Sequence, residues 1–402
     1  MNGFLAFILW LSLLGILHSY FFYPLLLRWL ARGKKPNQLT FTTADSWPQV
    51  SIIMSAYNEQ AVIREKMESL LQLNYPKGKL QLYIGSDCSN DQTNVIISGY
   101  AAQNAHLHFF PFPERRGKPG VINQLTDMAI EEWGQGAEHI FIITDASVMM
   151  DSHCAQALAR HFKNPKIDIV DAHMVHVGMK EEGISQAEDE YISSEVQLKH
   201  REGVVWGKMI GPFGGCFALR ANRFSKVPPN FLVDDFFLTM KVFEQGGNAI
   251  NDLEATCREP VSHEIKEEFR RKARISAGNF QNLMAFPHLW WPPVRPLAFA
   301  FFSHKVLRWL GPFFILLILL TSGLLALGGN LFYTLLFSVM VAIVIMLPLL
   351  DVLFNSLGLN LLPLRGARYF IMMNLALLQG FINFIKGIRS NVWEPTKRDR
   401  PS

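Results

Sequence analysis

Apolar and polar positions fall into distinct textures along the chain. The first is an unbroken apolar run. Gly3 to Leu27 carries no charge, and only His18 and a few hydroxyls interrupt it. About 20 residues suffice to cross a hydrocarbon core, so the run predicts a membrane-spanning helix. A cleaved signal peptide is the alternative. No basic residue precedes the run, the run is too long, and no small-residue cleavage site follows it. A retained anchor over residues 1–31 is therefore expected. Arg28, Arg32, Lys34 and Lys35 come next, and the positive-inside rule puts this end and the sequence after it in the cytoplasm.

From Pro48 the pattern changes to short apolar runs separated by helical spacing. Val50 to Met54 predicts a strand ending at Tyr57-Asn58-Glu59, and Ala61 to Leu73 a helix. Leu80 to Gly85 is a second strand, ending in Ser86-Asp87-Cys88-Ser89-Asn90-Asp91. Leu107 to Phe110 is a third, and Gly117 to Ala129 a helix. His139 to Asp145 then runs apolar up to a carboxylate, as a strand buried on both faces would. Strands separated by helical stretches of about 10–15 residues imply βαβ units and a mostly parallel sheet. Asp168 to Val177 predicts a further strand, 181–205 an exposed polar helix, Phe237 to Gln245 an amphipathic helix, Asn248 to Cys257 a late strand, and Glu264 to Met284 a charged helix.

The last texture is apolar again. Phe286 to Phe302 holds Trp290-Trp291 and four prolines, which suits a membrane interface more than a packed linker. Trp309–Leu327 and Leu331–Leu350 are uncharged and long enough to span, with Gly328-Gly329-Asn330 as the turn between them. Tyr369–Ile385 is shorter and carries Asn374, Gln379 and Asn383. Three late spans would carry the basic tail across the membrane, against the positive-inside rule. One segment is then re-entrant or interfacial, and 369–385 is the first suspect. The expected layout is an anchor at 1–31, an α/β domain at 48–285, an interfacial segment at 286–305, a membrane region at 306–388 and a basic tail at 389–402.

Composition narrows the function classes. The chain has 402 residues, half of them hydrophobic, with a net charge of +4. No basic stripe interleaved with aromatics marks a nucleic-acid surface, so no nucleic-acid partner is expected. Cys88, Cys154, Cys216 and Cys257 are far apart and form neither a zinc motif nor a disulfide framework. The histidines show no metal-ligand spacing.

Acidic residues stand where apolar runs or turns end: Asp87 and Asp91, Asp145, and the pair Asp234-Asp235. In an open α/β sheet ligands bind beyond the carboxyl ends of the strands, so these groups can converge. Converging carboxylates raise one another's pKa and need compensation. A divalent metal supplies it, as do Lys118 and the Arg271–Arg274 cluster. Carboxylate, metal, diphosphate and arginine together make a nucleoside-diphosphate site.

The middle of the chain resembles a membrane-integrated family 2 glycosyltransferase of the GT-A fold. The residues that carry the resemblance are Ser55-Ala-Tyr-Asn-Glu59, Ser86-Asp-Cys-Ser-Asn-Asp91, Arg116-Gly-Lys-Pro-Gly-Val-Ile-Asn123, Thr144-Asp-Ala-Ser147, Val233-Asp-Asp235 and Arg271-Lys-Ala-Arg274. Trp393-Glu-Pro-Thr-Lys-Arg398 also resembles sequences following the last membrane segment of such enzymes. The resemblance implies a GT-A, Rossmann-like cytosolic domain flanked by N- and C-terminal transmembrane helices. It implies that Tyr57, Glu59 and Asp87 line the nucleoside pocket, Asp87 on the uracil edge, and that Lys118 and Arg271 help hold the nucleotide. Asp145 would bind Mg²⁺ or Mn²⁺ on the diphosphate, Asp235 would be the general base, and Arg274 would neutralise the leaving group. The implied reaction is inverting transfer from a UDP-linked sugar to a membrane lipid or growing glycan. Ser147 replaces the second acid of the family's Asp-x-Asp, and the arginine motif lacks the family's leading Gln and final Trp. The missing Trp shifts the reading from a processive synthase toward transfer of one or a few sugars.

Ordinary structural roles compete at each position. Tyr57-Asn58-Glu59 can be a turn and helix cap, Asp91 is read as a cap, and Asp234 as the N-cap of the following helix. Gly214-Gly215 can be a tight turn or the wall of an acceptor pocket. The arginine run can be a solvated face or a lipid-facing patch. Whole-chain alternatives are a processive polysaccharide synthase that also secretes its product, a non-enzymatic nucleotide sensor, which would need no base at Asp235, and a transporter, which would need ionisable residues inside its spans.

Overall fold

The run ending at Asp145 is a central strand of an eight-stranded sheet. The structure, a computed structural model, describes residues 2–177, 185–260, 265–359, 361–388 and 391. The strands are β1 (Gln49–Ala56), β2 (Leu80–Asp87), β3 (Leu107–Phe112), β4 (His139–Asp145), β5 (Met149–Met150), β6 (Ile167–Val177), β7 (Cys216–Arg220) and β8 (Asn248–Pro260). Their order is β3-β2-β1-β4-β7-β6-β8-β5. The β3-β2-β1-β4 half is parallel, with Ser55 opposite Asp145 at the carboxyl edge. β7 then runs antiparallel to both β4 and β6, and β8 parallel to β6. The sheet is thus parallel on the side of β1 to β4 and mixed beyond it.

Sequence explains the parallel half directly. Ile52, Met54, Ile140 and Ile142 are fully buried, as continuous apolar strands covered on both faces must be. Each such side chain contributes about 1.5–3 kcal/mol on leaving water. After β1 the chain builds β2 and β3 on one side, then crosses back to lay β4 on the other. The strand order reverses between β1 and β4, and a crevice opens at such a point.

The chain forms two compact units. One comprises Leu30–Met179, Glu195–Ser262 and Ile388–Ser402 and contains the sheet; the other comprises Met1–Trp29, Lys180–Ser194 and His263–Gly387 and is helical. Among the described residues three helices are long and apolar enough to cross a membrane: Asn2–Leu30, Leu331–Ser356 and Leu362–Ile385. The expected span at 309–327 falls on the second limb of a pair bent by 60°, Pro296–Trp309 and Gly311–Ala326, which together are long and apolar enough to cross. Pro312 stands at the start of the second limb, where its missing N–H is tolerated. The Asn330 carboxamide caps the next helix, accepting from the Phe332 N–H at 3.0 Å. Large apolar side chains such as Phe7, Leu320, Leu335 and Leu349 are exposed. The helix Ile265–Ala285 packs along Leu362–Ile385, where a Cβ on Gly380 would collide with Ser276.

One expectation fails. The helix Ser185–Trp206 is not a freely exposed polar helix, since Glu195, Lys199 and Glu202 are buried. Lys199 pairs with buried Asp171 at 2.8 Å, and Glu202 accepts the Ile210 N–H at 3.0 Å. Polarity there serves internal partners rather than water. The tail motif 393–398 lies outside the described residues.

Candidate active site

The loops after β1 and β2 interlock at the carboxyl edge. Asn58 and Cys88 both adopt the left-handed backbone region, with φ of 52° and 60°. Asparagine tolerates that conformation better than most residues, and such strain clusters at binding edges. The Asn58 N–H donates to Ser89 Oγ at 3.1 Å, and the Asn90 N–H to Asn58 Oδ1 at 2.9 Å. Asp91 stands one residue before Gln92, which holds the cap position of the helix Thr93–Ala101, and accepts from the Thr93 N–H at 2.9 Å and the Gln60 N–H at 3.0 Å. The Glu59 N–H donates to Thr93 Oγ1 at 2.9 Å.

Asp87, at the tip of β2, is buried and engaged through both oxygens. It accepts from Arg115 Nε at 3.0 Å, the Arg116 N–H at 2.6 Å and the Gly117 N–H at 3.1 Å. It therefore ties the 113–117 loop to β2 at the start of the helix Gly117–Trp133. The Arg115 guanidinium carbon lies over the Tyr57 ring, 3.3 Å from its centroid. Tyr57, Asp87 and Arg115 form one corner at this edge. Nothing in the sequence marked Arg115 apart from its neighbour Arg116.

Lys118, one residue into that helix, reaches across to the other carboxylates. Its Nζ lies 2.8 Å from Asp145 Oδ1 and 3.3 Å from Asp234 Oδ2. Burial works against the lysine's charge, but Asp145, Asp234 and Asp235 outweigh it and hold its pKa well above the ordinary value. Asp234 is not the helix N-cap: the helix runs Asp234–Glu244, with Val233 at the cap position and no side-chain cap bond. Both acids sit in the first turn, where the helix dipole favours negative charge. Asp234 Oδ2 is buried without a hydrogen-bond partner, facing the lysine as an ion pair.

Asp235 is buried too. Burial first, and then the neighbouring Asp234, push its carboxyl from 3.8 up to about 7, with Lys118 pulling the other way. The loop before β7 closes on it. Gly214 has φ +83°, and a Cβ there would stand 2.6 Å from Asp235 Oδ2. Gly211 is likewise left-handed, with the Phe236 ring where its Cβ would be. The glycines are therefore more than a tight turn: they let the backbone reach the carboxylate.

The structure thus brings Lys118, Asp145, Asp234 and Asp235 into one cluster and Tyr57, Asp87 and Arg115 into another. Arg271 and Arg274 belong to the helical unit, where Arg271 Nε pairs with buried Glu268 at 3.0 Å. Among the described residues no group of three or more His, Cys, Asp or Glu could by itself hold a metal. Magnesium-like ions bound with a diphosphate need only one or two protein carboxylates, the rest coming from phosphate and water. Asp145, with 37% of its side chain exposed, and the unbonded oxygen of Asp234 fit that requirement. Ser147 is buried beside them.

Residues 51–227 match the family described as glycosyl transferase family 2. This central domain is a family 2 glycosyl transferase domain. The chain is similar to a beta-monoglucosyldiacylglycerol synthase of Trichormus variabilis, 25% identical over 175 residues, which are 43% of this chain and 36% of the synthase. A poly-beta-1,6-N-acetyl-D-glucosamine synthase of Staphylococcus epidermidis is 27% identical over 122 residues, 30% of this chain and 27% of that protein. The aligned stretches thus span about a third of these relatives' own lengths. Among solved structures, a mannosyltransferase from Pyrobaculum calidifontis, determined with GDP-Man and Mn²⁺, superposes with a TM-score of 0.66 at 20% identity, covering 93% of this chain and 99% of that one. At that identity the likeness establishes the fold, which is GT-A as expected.

Proposed function

We propose that the protein is an inverting glycosyltransferase that moves a sugar from a UDP-linked donor to a hydroxyl of a membrane-associated acceptor, either a lipid or a growing glycan. The observation that carries the reading is the buried Asp235 carboxyl, raised to about 7 and set beside the Lys118 ion-pair cluster. A general base works best with a pKa near the operating pH. In the reaction, the acceptor oxygen attacks the anomeric carbon and its proton passes to an Asp235 carboxylate oxygen. The bond from the anomeric carbon to the phosphate oxygen breaks, and its electron pair leaves with the nucleoside diphosphate. Attack opposite the leaving group inverts the centre in one displacement, so no carboxylate nucleophile is needed.

Lys118 supplies fixed positive charge beside the departing diphosphate, the kind of preorganised stabilisation worth most in a water-poor site. Asp145 would hold Mg²⁺ or Mn²⁺, which when bound supplies further charge neutralisation on the diphosphate. Tyr57 and Asp87 form the base-binding corner with Glu59 nearby. The mannosyltransferase of the same fold, determined with GDP-Man and Mn²⁺, supports a nucleotide-sugar donor and a divalent ion. A nucleoside-diphosphate release assay with UDP- and GDP-sugars, Mg²⁺ or Mn²⁺ and native lipid tests the reading. Release that depends on acceptor and is lost in Asp235→Asn supports it; no release from any donor defeats it.

The same proposal makes the chain a multi-pass membrane protein with a cytosolic catalytic domain. Arg28, Arg32 and the three apolar helices support it. Asn391 packs against Gly117 and donates to the Phe231 carbonyl, so this residue after the last helix belongs with the α/β unit. That favours an even number of crossings after residue 285. The hairpin of Gly311–Ala326 and Leu331–Ser356 provides two. Leu362–Ile385, the least apolar of the candidate spans, then lies in the interface.

A further inference from the structure

The helix Ile63–Leu71 carries one charged residue on its buried face. Ile63, Met67 and Leu70 make an apolar stripe at helical spacing, and Lys66 stands within it, fully buried. Its Nζ donates to Thr144 Oγ1 at 2.9 Å and to the Val148 carbonyl at 2.5 Å. Among the described residues no carboxylate lies within ion-pair reach of it, and the groups that act on its charge are Cys216, Cys257, Asp145 and Cys154. An ammonium so placed is costly to bury, and burial pulls its pKa down to about 8. A methionine of the same length would fill the space without that cost.

What the ammonium does is join pieces of backbone. Thr144 Oγ1 passes the connection on, donating to the Gly215 carbonyl at 3.1 Å. The Asp145 N–H meets the same Gly215 carbonyl at 3.0 Å, and the Val148 N–H returns to the Asp145 carbonyl at 3.2 Å. Lys66 therefore grips the tip of β4 and the far end of the 145–148 turn at once. Through Thr144 it also reaches the glycine loop that abuts Asp235.

We propose that Lys66 is a positioning residue, a buried cation that fixes the turn presenting Asp145 to the donor diphosphate and its metal. The inference rests on the reading of Asp145 given above. Groups that orient a metal's carboxylate ligand commonly matter about 10–100-fold in metal affinity or activity.

The test is Mn²⁺ binding to the full-length protein with UDP, and separately GDP, followed by electron paramagnetic resonance, which needs no turnover. Lys66→Met should keep its thermal unfolding temperature or raise it, yet bind Mn²⁺ with nucleotide about tenfold or more weaker. In the transfer assay its kcat should fall further than its donor KM rises. Thr144→Val should weaken Mn²⁺ binding in the same direction and Thr144→Ser should not, which gives the answer even where Lys66→Met fails to fold. Asp145→Asn separates the two readings. If Asp145→Asn leaves Mn²⁺ binding unchanged, the assignment of Asp145 is wrong. If Asp145→Asn weakens binding while Lys66→Met or Thr144→Val matches wild type, the Lys66 proposal alone falls.

Discussion

Gly214 and Asp235 share a boundary that admits no side chain on the glycine: a Cβ on Gly214 would stand 2.6 Å from Asp235 Oδ2. The left-handed φ of +83° adds a backbone penalty for any L-residue there. Gly214→Ala therefore forces either the loop or the carboxylate to move. Displacement of a reacting group by about 1 Å can cost about 10²-fold in rate. The variant should lose kcat on that order with donor KM within a few-fold of wild type, because the nucleoside end is untouched. Steady-state kinetics at saturating acceptor decide it, and an unchanged kcat would remove Asp235 from the reacting centre.

Asp235 should also set the pH profile. Its carboxyl is raised from 3.8 to about 7, so kcat/KM should climb with pH up to about 7 and then level. Asp235→Asn should lower kcat by about 10²–10⁴-fold and abolish that limb. Stability has the opposite sign. Between 3.8 and about 7 the folded state keeps a proton that the unfolded chain releases. The stabilisation is fully present below 3.8 and is lost as pH rises through 7. Asp235→Asn keeps the neutral form at every pH and should unfold at a higher temperature than wild type at pH 8, but not at pH 4. Scanning both proteins by calorimetry in the same detergent checks the crossover.

Lys118 is the cation that Asp145 and Asp234 share. Lys118→Met leaves converging carboxylates with less compensation. The Asp235 limb should then move to higher pH, since the attraction that holds its carboxyl down is gone. Donor KM should rise about tenfold or more, the usual scale for losing a charge-assisted contact. Lys118→Arg keeps the charge but not the compact reach, and should recover the pH limb better than the KM. A Lys118→Met profile that overlays wild type would show that Asp235 does not sense this cluster.

The parallel half of the sheet was legible because continuous apolar runs, helical spacing and strand-end acids are local signals. Asp145 and Asp235 stood out as candidates for that reason. The roles of their neighbours depend on contacts far apart in sequence. Asp234 looked like an N-cap, but Val233 holds that position and Asp234 turns to Lys118. Lys199 and Glu202 looked solvated because their partners Asp171 and Ile210 lie on other segments. Lys66 did leave a trace, a charge inside the Ile63-Met67-Leu70 stripe, though an apolar stripe with one lysine usually means a stem that snorkels to water. Arg115 left none, since its place over Tyr57 follows from Asp87 drawing in the 115–117 backbone.

Membrane sidedness gives the last test, and it turns on chain parity. The β1–β8 domain and Asn391 belong to one unit, and Asn391 is joined there through Gly117 and Phe231. A chain that leaves that unit and returns to it must cross the bilayer an even number of times in between. The hairpin turn after Leu327 would then face the opposite side from Ile388. Leu327 is 84% exposed and tolerates substitution, whereas the native thiols of Cys154, Cys216 and Cys257 are buried. In a Cys88→Ser background, Leu327→Cys should react with a membrane-impermeant maleimide in intact cells, and Ile388→Cys only after the membrane is opened. Labelling of Ile388→Cys from outside would make Leu362–Ile385 a true span and leave the basic tail across the membrane, against the charge rule.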